Sequence, residues 1–282
     1  MHKDDRLVPL VYVAFVPLAV LTAIFGPLLV LFPDSTQNYW SWEIKPAMSS
    51  VWLGASYAFG ALAIVTMLAV RKWRAAIVPI AGTWTFSLVV CAATLIHLDR
   101  FFLGTVNFYV WFAIYILLPV VLPVIWWLNR THDPGPQPGD MLLSRTIAVA
   151  ASSVGVVFGL LSLVLVFSPS TAAAFWPWTL TPLVSRVIGA WLLFIATGLV
   201  CMLVERRYVA YRYYLLPAAV WFALFFAVSF FHMDNFDFSR PTAYIWFALT
   251  AIASLSAFGS FFLMESRYRT HQSQPLVSVP MA

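Results

Sequence analysis

Long apolar segments, separated by short polar ones, follow one another along the whole chain. Each segment is about 20 residues long, which is the length that a helix needs to cross the hydrocarbon core of a bilayer. None of them shows the period of two that a membrane β-barrel requires, so each is expected to pair its backbone within its own helix. The pattern predicts eight transmembrane helices, at residues 7–32, 47–70, 75–97, 107–128, 146–167, 183–204, 213–232 and 241–264.

The composition excludes an ordinary soluble protein. Of the 282 residues, 62% are hydrophobic and only 10% are charged, whereas soluble domains carry about 25% charged residues. No polar stretch is long enough to build a soluble domain, and no cleavage site of small residues follows the first apolar segment, which is therefore predicted to be retained as a membrane span. The predicted class is an all-α, polytopic membrane protein.

The basic residues predict how the chain is oriented. If the N-terminus is cytoplasmic, twelve of the 16 lysines and arginines fall on the cytoplasmic side, as the positive-inside rule requires. We therefore predict a multi-pass protein of the plasma (inner) membrane with both termini in the cytoplasm. The net charge of +5 is explained by this topology, so the bilayer is the predicted partner and nucleic acid is not.

The two halves of the chain share rare residues at nearly constant spacing, which predicts an internal duplication. H-x-D-x-F begins at His97 and again at His232, Ser49 aligns with Ser185, and Trp84 aligns with Trp221. Four spans per half is an even number, so the halves should be parallel repeats related by a pseudo-two-fold axis along the membrane normal. The predicted parts are residues 1–130 and 145–267 as the two four-helix repeats, 131–144 as a cytoplasmic Pro/Gly linker and 268–282 as a flexible cytoplasmic tail.

The H-x-D motifs are the first candidate site, and two interpretations remain open. Each histidine ends an outward-running helix, where it could bond the last free carbonyls while the aspartate caps the following turn. Ionisable groups at membrane depth also mark ligand or proton paths. A metal such as zinc would be held by His97, Asp99, His232 and Asp234, but residues i and i+2 diverge on a helix, so the motif would have to leave the helix first. No cofactor is indicated, and there is no haem motif.

The W-x-W motifs and one arginine complete the candidate ligand-binding residues. W-x-W followed four residues later by proline is expected to form an ordered segment over the outer mouth of the bundle, where the indoles either anchor the interface or cover a ligand. Arg186 stands where the first half has Ser50, and we expect it to contact a ligand with Asp234 as its neighbour. The four indoles belong to Trp40, Trp42, Trp176 and Trp178.

Three functions remain open. The low polarity of the spans favours a structural or accessory subunit of a membrane complex, with other membrane subunits as partners. The second hypothesis is a small-molecule transporter or binding protein with an outward-facing site between the two repeats, for a small-molecule or lipid ligand. The third is a membrane-embedded enzyme that uses the His/Asp pairs as acid and base, and the catalytic residues of such an enzyme stay unassigned.

Overall fold

The computed structural model describes residues 4–273, and in this range it confirms an all-α membrane architecture. Eight helices are long and apolar enough to cross a membrane, and the described range contains no β-strand. The helices are α1 (Pro9–Leu31), α2 (Ala47–Val70), α3 (Trp73–Ile96), α4 (Val106–Asn129), α5 (Arg145–Phe167), the short α6 (Pro169–Phe175), α7 (Pro182–Val200), α8 (Val209–Phe231) and α9 (Pro241–Ser273).

Hydroxyl side chains set the first residues of several spans. The side-chain oxygens of Thr105, Ser144 and Thr181 each accept a hydrogen bond from the backbone N–H three residues later. These bonds satisfy amides that have no partner within the first turn of a helix. The predicted bounds of α2 agree with the structure, while α8 begins four residues earlier than predicted, at Val209.

The last helix is longer than the apolar pattern predicts. α9 continues to Ser273, so the predicted flexible tail at 268–282 begins as a helix, and its residues 274–282 lie outside the described range. Glu265 forms ion pairs with Arg212 of α8 and with Arg269 one turn further on. The amide of Gln272 also donates to the carbonyl of Gly139. Polar contacts of this kind extend a helix beyond the bilayer, where hydropathy is no guide.

The spans pack in pairs that are close in sequence. α1 packs against α2, α5 against α7, α3 against α4, and α8 against α9. Glycines bring two of these pairs together, because a Cβ atom on Gly54 would come within 2.7 Å of the Gly26 carbonyl, and one on Gly189 within 2.8 Å of Val166. Beside each glycine contact a serine hydroxyl crosses to the partner helix, from Ser50 to the Leu29 carbonyl and from Ser185 to the Leu165 carbonyl.

The two halves meet through α2, α3, α7 and α8. α3 packs on α7 and α2 packs on α8, while α3 and α8 also touch each other. We call the end of the bundle formed by residues 32–46, 97–105, 168–181 and 232–240 the motif end, and the end formed by residues 4–8, 71–72, 130–144 and 201–208 the linker end. At the motif end the backbone N–H of Met48 donates to the Asn235 side chain, so loops of both halves lie together there. The duplication itself stays a prediction.

Prolines inside the spans free carbonyls, and aromatic side chains of other helices bond to them. Pro79 has no N–H for the Ala75 carbonyl four residues before it, and the Tyr214 hydroxyl of α8 donates to that carbonyl at 2.5 Å. Pro123 leaves the Pro119 carbonyl free in the same way, and Nε1 of Trp84 donates to it at 3.1 Å. Both bonds replace a helix hydrogen bond that lipid could not supply.

The structure places Trp84 and Trp221, which the predicted duplication aligns, in different surroundings. Trp84 is 40% exposed beside α4, whereas Trp221 is only 2% exposed in the centre of the bundle. Phe86 is the residue that packs on Trp191 from α3, as Trp221 does from α8. If the halves are a duplication, Phe86 is therefore a better counterpart of Trp221 than Trp84 is.

Buried ion pairs hold the predicted linker 131–144 against the bundle. Arg74 of α3 bonds to Asp5 at 2.6 Å and to Asp140 at 2.9 Å. Arg207, which is 4% exposed, bonds to Glu205 and to Asp133. Burial opposes ionisation of Asp133, but hydrogen bonds from Arg207 and from the Gly135 amide outweigh it, so its pKa lies below the usual value. The linker is therefore fixed in place despite its prolines and glycines.

Candidate functional site

Each H-x-D-x-F motif turns the chain at the end of a helix. His97 is the C-cap residue directly after α3 and His232 is the C-cap residue directly after α8, and a single 3-10 turn follows each of them. The phenylalanine of the motif then pairs with the second tryptophan of W-x-W through an isolated β-bridge, Phe101 with Trp42 and Phe236 with Trp178. The aromatic residue thus anchors the loop, and the motif leaves the helix as a metal site would require.

The two histidines nevertheless have different surroundings. Nε2 of His97 lies 2.7 Å from Nη1 of Arg186, which also donates to the Pro182 carbonyl. A guanidinium can only donate, so Nε2 must be the unprotonated acceptor of a neutral imidazole. Burial and the charge of Arg186 both lower the pKa of His97. The side chain of His232 makes no hydrogen bond within the described residues.

The structure does not assemble the predicted metal set. Asp99 is exposed and pairs with its neighbour Arg100, and the exposed side chain of Asp234 bonds to nothing in residues 4–273. Across that range no three His, Cys, Asp or Glu side chains are arranged to hold a metal ion. The four side chains do not converge because both carboxylates are exposed on their turns and the imidazole of His97 contacts Arg186.

Arg186 does not bond to Asp234, the neighbour that the sequence predicts. The side chain of Arg186 instead contacts His97 and a backbone carbonyl. Its counterpart under the predicted duplication also differs. If the crossing hydroxyls of Ser50 and Ser185 correspond, Arg186 falls on Val51 rather than on Ser50. The arginine joins the two halves at the motif end.

The four tryptophans of the W-x-W motifs are buried at the motif end. Each is at most 5% exposed. Trp42 packs edge-on against Trp111 of α4, and Trp178 packs edge-on against Trp246 of α9. Nε1 of Trp178 donates to Ser49 Oγ, which ties the second half to the first. Trp40 also lines a cavity, and the other three tryptophans are not among the residues that line it.

That cavity, which we call the α1–α4 cavity, was missed by sequence reasoning. It holds about 160 Å³ and lies inside the first half, next to the motif end. Its mouth is between α1 and α4, where Leu21 and Ile114 are partly exposed and Val110 is exposed. The lining residues are Leu18, Leu21, Thr22, Phe25, Tyr39, Trp40, Ser41, Tyr57, Asn107, Val110, Trp111, Ile114 and Tyr115.

Two tyrosines form the polar base of the α1–α4 cavity. The hydroxyls of Tyr57 on α2 and Tyr115 on α4 are 3.4 Å apart in a fully buried position. A smaller cavity of about 70 Å³ continues from them toward the linker end and shares Leu18 and Thr22 with the first. The signal in the sequence was two tyrosines within otherwise apolar spans, and it was weak because aromatic residues are frequent throughout this chain.

A second, larger recess opens in the other half, and we call it the α5–α9 groove. It holds about 480 Å³ between α5, α7, α8 and α9, and its lining is almost entirely apolar. Small residues form much of its wall, and the hydroxyls of Ser256 and Ser260 on α9 have no hydrogen bond among the described residues. The groove thus differs from the α1–α4 cavity, whose lining includes more hydroxyl and indole groups.

Comparisons with protein-family models, with curated proteins and with solved structures found no match to this chain.

Proposed function

We propose that this protein is a membrane-embedded binding protein or carrier that takes a small, largely apolar molecule from the bilayer into the α1–α4 cavity. The proposal follows the second of the three hypotheses, but it moves the site from the interface between the halves to the interior of the first half. With the termini cytoplasmic, as the basic residues predict, the cavity would lie toward the outer face of the plasma membrane.

The observation that carries the proposal is the Tyr57–Tyr115 pair at the base of the cavity. Two hydroxyls at 3.4 Å can share only one hydrogen, so one O–H has no acceptor in the cavity wall. A buried hydroxyl without an acceptor costs stability. An apolar pocket with a few convergent polar groups is the usual form of a small-molecule site.

The lateral mouth suits a ligand that is dissolved in lipid. Partly exposed apolar side chains form its rim, and one of these, Val110, is 38% exposed. A molecule that entered between α1 and α4 would leave its apolar part in the bilayer and place its polar group on the tyrosines. No charged side chain lines the cavity, which argues against an ionic substrate.

The predicted duplication supports a scaffold in which the first half is specialised, because the second half has no counterpart of the tyrosine pair. Under the proposed duplication, Tyr57 and Tyr115 correspond to Leu192 and Thr250, and the hydroxyl of Thr250 is already bonded to the Trp246 carbonyl. Corresponding bonds elsewhere favour the duplication: Nε1 of Trp111 donates to Thr94, and Nε1 of Trp246 donates to Ser229.

An accessory subunit of a membrane complex is the second candidate, and the α5–α9 groove favours it. Ser256 and Ser260 are exposed on α9 at a spacing of four, together with Ala253 and Ala257. Small residues at this spacing let two transmembrane helices approach closely. The enzyme hypothesis has less support, because Asp99 and Asp234 point outward and His97 faces a cation.

The experiment is to identify apolar molecules that co-purify with the protein. Wild type, Ile114→Trp and Val120→Trp would be extracted in mild detergent and their bound small molecules measured by mass spectrometry. Ile114 lines the cavity, whereas Val120 lies on the same helix and is 66% exposed. We expect a molecule to be retained by wild type and Val120→Trp and lost from Ile114→Trp. Equal retention in all three proteins, or none in any, would exclude the cavity as the site.

A further inference from the structure

The α1–α4 cavity and its extension have an excess of hydrogen-bond donors. Trp40 lines the cavity and Trp191 lines the extension, and within residues 4–273 neither indole N–H has a hydrogen-bond partner. Both side chains are at least nine-tenths buried, with exposures of 4% and 5%. An indole N–H can only donate. Together with the unused O–H of the tyrosine pair, the walls offer three hydrogens without acceptors.

Two hydroxyls in the cavity wall already donate their hydrogens. Thr22 Oγ1 donates to the carbonyls of Leu18 and Ala19, and Ser41 Oγ donates to the carbonyl of Asn107. Their oxygens and the side-chain amide of Asn107 can still accept a hydrogen bond. The indole N–H groups, in contrast, can be satisfied only by an acceptor, so a ligand that brings acceptor oxygens would satisfy groups that are otherwise orphaned.

The size and lining of the cavity indicate a single ring. An apolar cavity of about 150 Å³ is known to hold benzene, and the α1–α4 cavity measures about 160 Å³. Its walls are aromatic on several sides, with Trp40 and Tyr57 rings 5.6 Å apart and Trp111 and Tyr115 rings 4.3 Å apart. Aromatic walls favour a flat ring through stacked and edge-on contacts.

We propose that the ligand is a six-membered ring that carries carbonyl oxygens and an apolar tail. The ring occupies the α1–α4 cavity, a carbonyl oxygen accepts hydrogens from the tyrosine pair and from Trp40, and the tail leaves between α1 and α4 into the bilayer. This inference rests on the proposed function and adds the chemical class of the ligand. A hydrocarbon of the same shape fits the cavity but leaves the donors unpaired.

The test compares two probes that differ only in their oxygens, a 1,4-benzoquinone with a decyl chain and decylbenzene. Each would compete in proteoliposomes against a decylbenzene that carries a diazirine, and labelling of the protein would be measured. We expect the quinone to compete about 10-fold more strongly than the hydrocarbon, as one or two hydrogen bonds predict. In the Tyr57→Phe, Tyr115→Phe double variant the preference for the quinone should become clearly smaller, because only the indole N–H of Trp40 remains to donate, while continued labelling confirms that the variant is folded.

The other outcomes separate the inference from the proposed function. If both probes compete equally in wild type and Ile114→Trp abolishes labelling, the cavity binds apolar rings without selecting carbonyl groups, and the inference is overturned. The same holds if the double variant keeps the preference of the wild type. If neither probe competes, the proposed function fails and the inference fails with it.

Discussion

Arg186 of α7 places its guanidinium 2.7 Å from the imidazole of His97 at the end of α3. The contact joins the two halves of the bundle at the motif end, and it holds only while the imidazole is neutral. Asp99 and Arg100 also act on this histidine, the first favouring its charged form and the second opposing it. Burial and Arg186 act more strongly than either, so the net effect on the pKa is downward.

The pH dependence of stability follows from that direction. The folded protein has a lower His97 pKa than the unfolded chain, whose value is close to 6.5. The unfolded state therefore binds the proton more readily, and the free energy of unfolding should decrease as the pH falls below about 6.5. Thermal unfolding in detergent between about pH 7.5 and about pH 5 measures this effect.

Two glutamine variants separate His97 from the other groups that titrate in this range. His97→Gln keeps an acceptor for Arg186 without a titrating ring, and it should flatten the pH dependence. His232→Gln is the matched control, because it makes the same substitution at the other motif, where the side chain has no hydrogen bond within the described range. Identical curves for all three proteins would show that protonation of His97 does not cause the pH dependence, which would contradict the neutral imidazole assigned to the His97–Arg186 contact.

The bond from Tyr214 to the Ala75 carbonyl should be coupled to Pro79. Tyr214→Phe leaves a carbonyl in the bundle without a donor and should lower the free energy of unfolding by about 1–3 kcal/mol. Pro79→Ala supplies the missing backbone N–H, so Tyr214→Phe should cost much less in that background. Unfolding by sodium dodecyl sulfate in mixed micelles gives the double-mutant cycle. Additive effects would contradict the assigned bond.

Gly54 should tolerate no side chain at the crossing of α1 and α2. A Cβ there would meet the Gly26 carbonyl at 2.7 Å, so Gly54→Ala should lower the free energy of unfolding by about 1–3 kcal/mol, as overpacking does. Gly259→Ala is the control, since nothing lies within 4 Å of its added Cβ. The control should be as stable as wild type or slightly more so, because alanine favours a helix. Equal loss in both variants would argue against the close crossing.

The ion network at the linker end should depend strongly on Arg207. Arg207→Met leaves Glu205 and Asp133 without their shared cation and should lower the free energy of unfolding by about 3–5 kcal/mol. Arg6→Met removes an exposed pair with Asp4 and should leave the free energy of unfolding nearly unchanged, because solvent screens such a pair. The comparison uses the same detergent titration, and a loss of similar size in the two variants would contradict the buried network.

The number and placement of the spans could be predicted because length and hydropathy are constrained by the bilayer. The bounds of α2 agree at Ala47 and Val70, and most others differ by only a few residues. The end of α9 could not be predicted in this way. Glu265 bonds to Arg212 of α8 and Gln272 bonds to the Gly139 carbonyl, and such contacts between distant segments leave no pattern in a single sequence.

Which residues face the interior could not be read from the sequence, because these helices are apolar on every side and periodicity does not reveal a buried face. Trp84 and Trp221 illustrate this, since one lies beside α4 and the other in the centre of the bundle. The conspicuous charged and tryptophan motifs drew attention to the motif end, where most of them hold loops in place. Tyr57 and Tyr115 meet only in three dimensions, across 58 positions of the chain.

The binding of an apolar ring in the α1–α4 cavity is tested most directly by photolabelling in proteoliposomes. A decylbenzene that carries a diazirine on its ring would be cross-linked to the wild-type protein, and the labelled residues mapped by mass spectrometry. Our account predicts label concentrated on Leu18, Val110 and Ile114, which line the cavity, and its loss when unlabelled decylbenzene is added in excess. Label spread evenly over lipid-facing residues such as Val120 and Val156, and unaffected by the competitor, would contradict it.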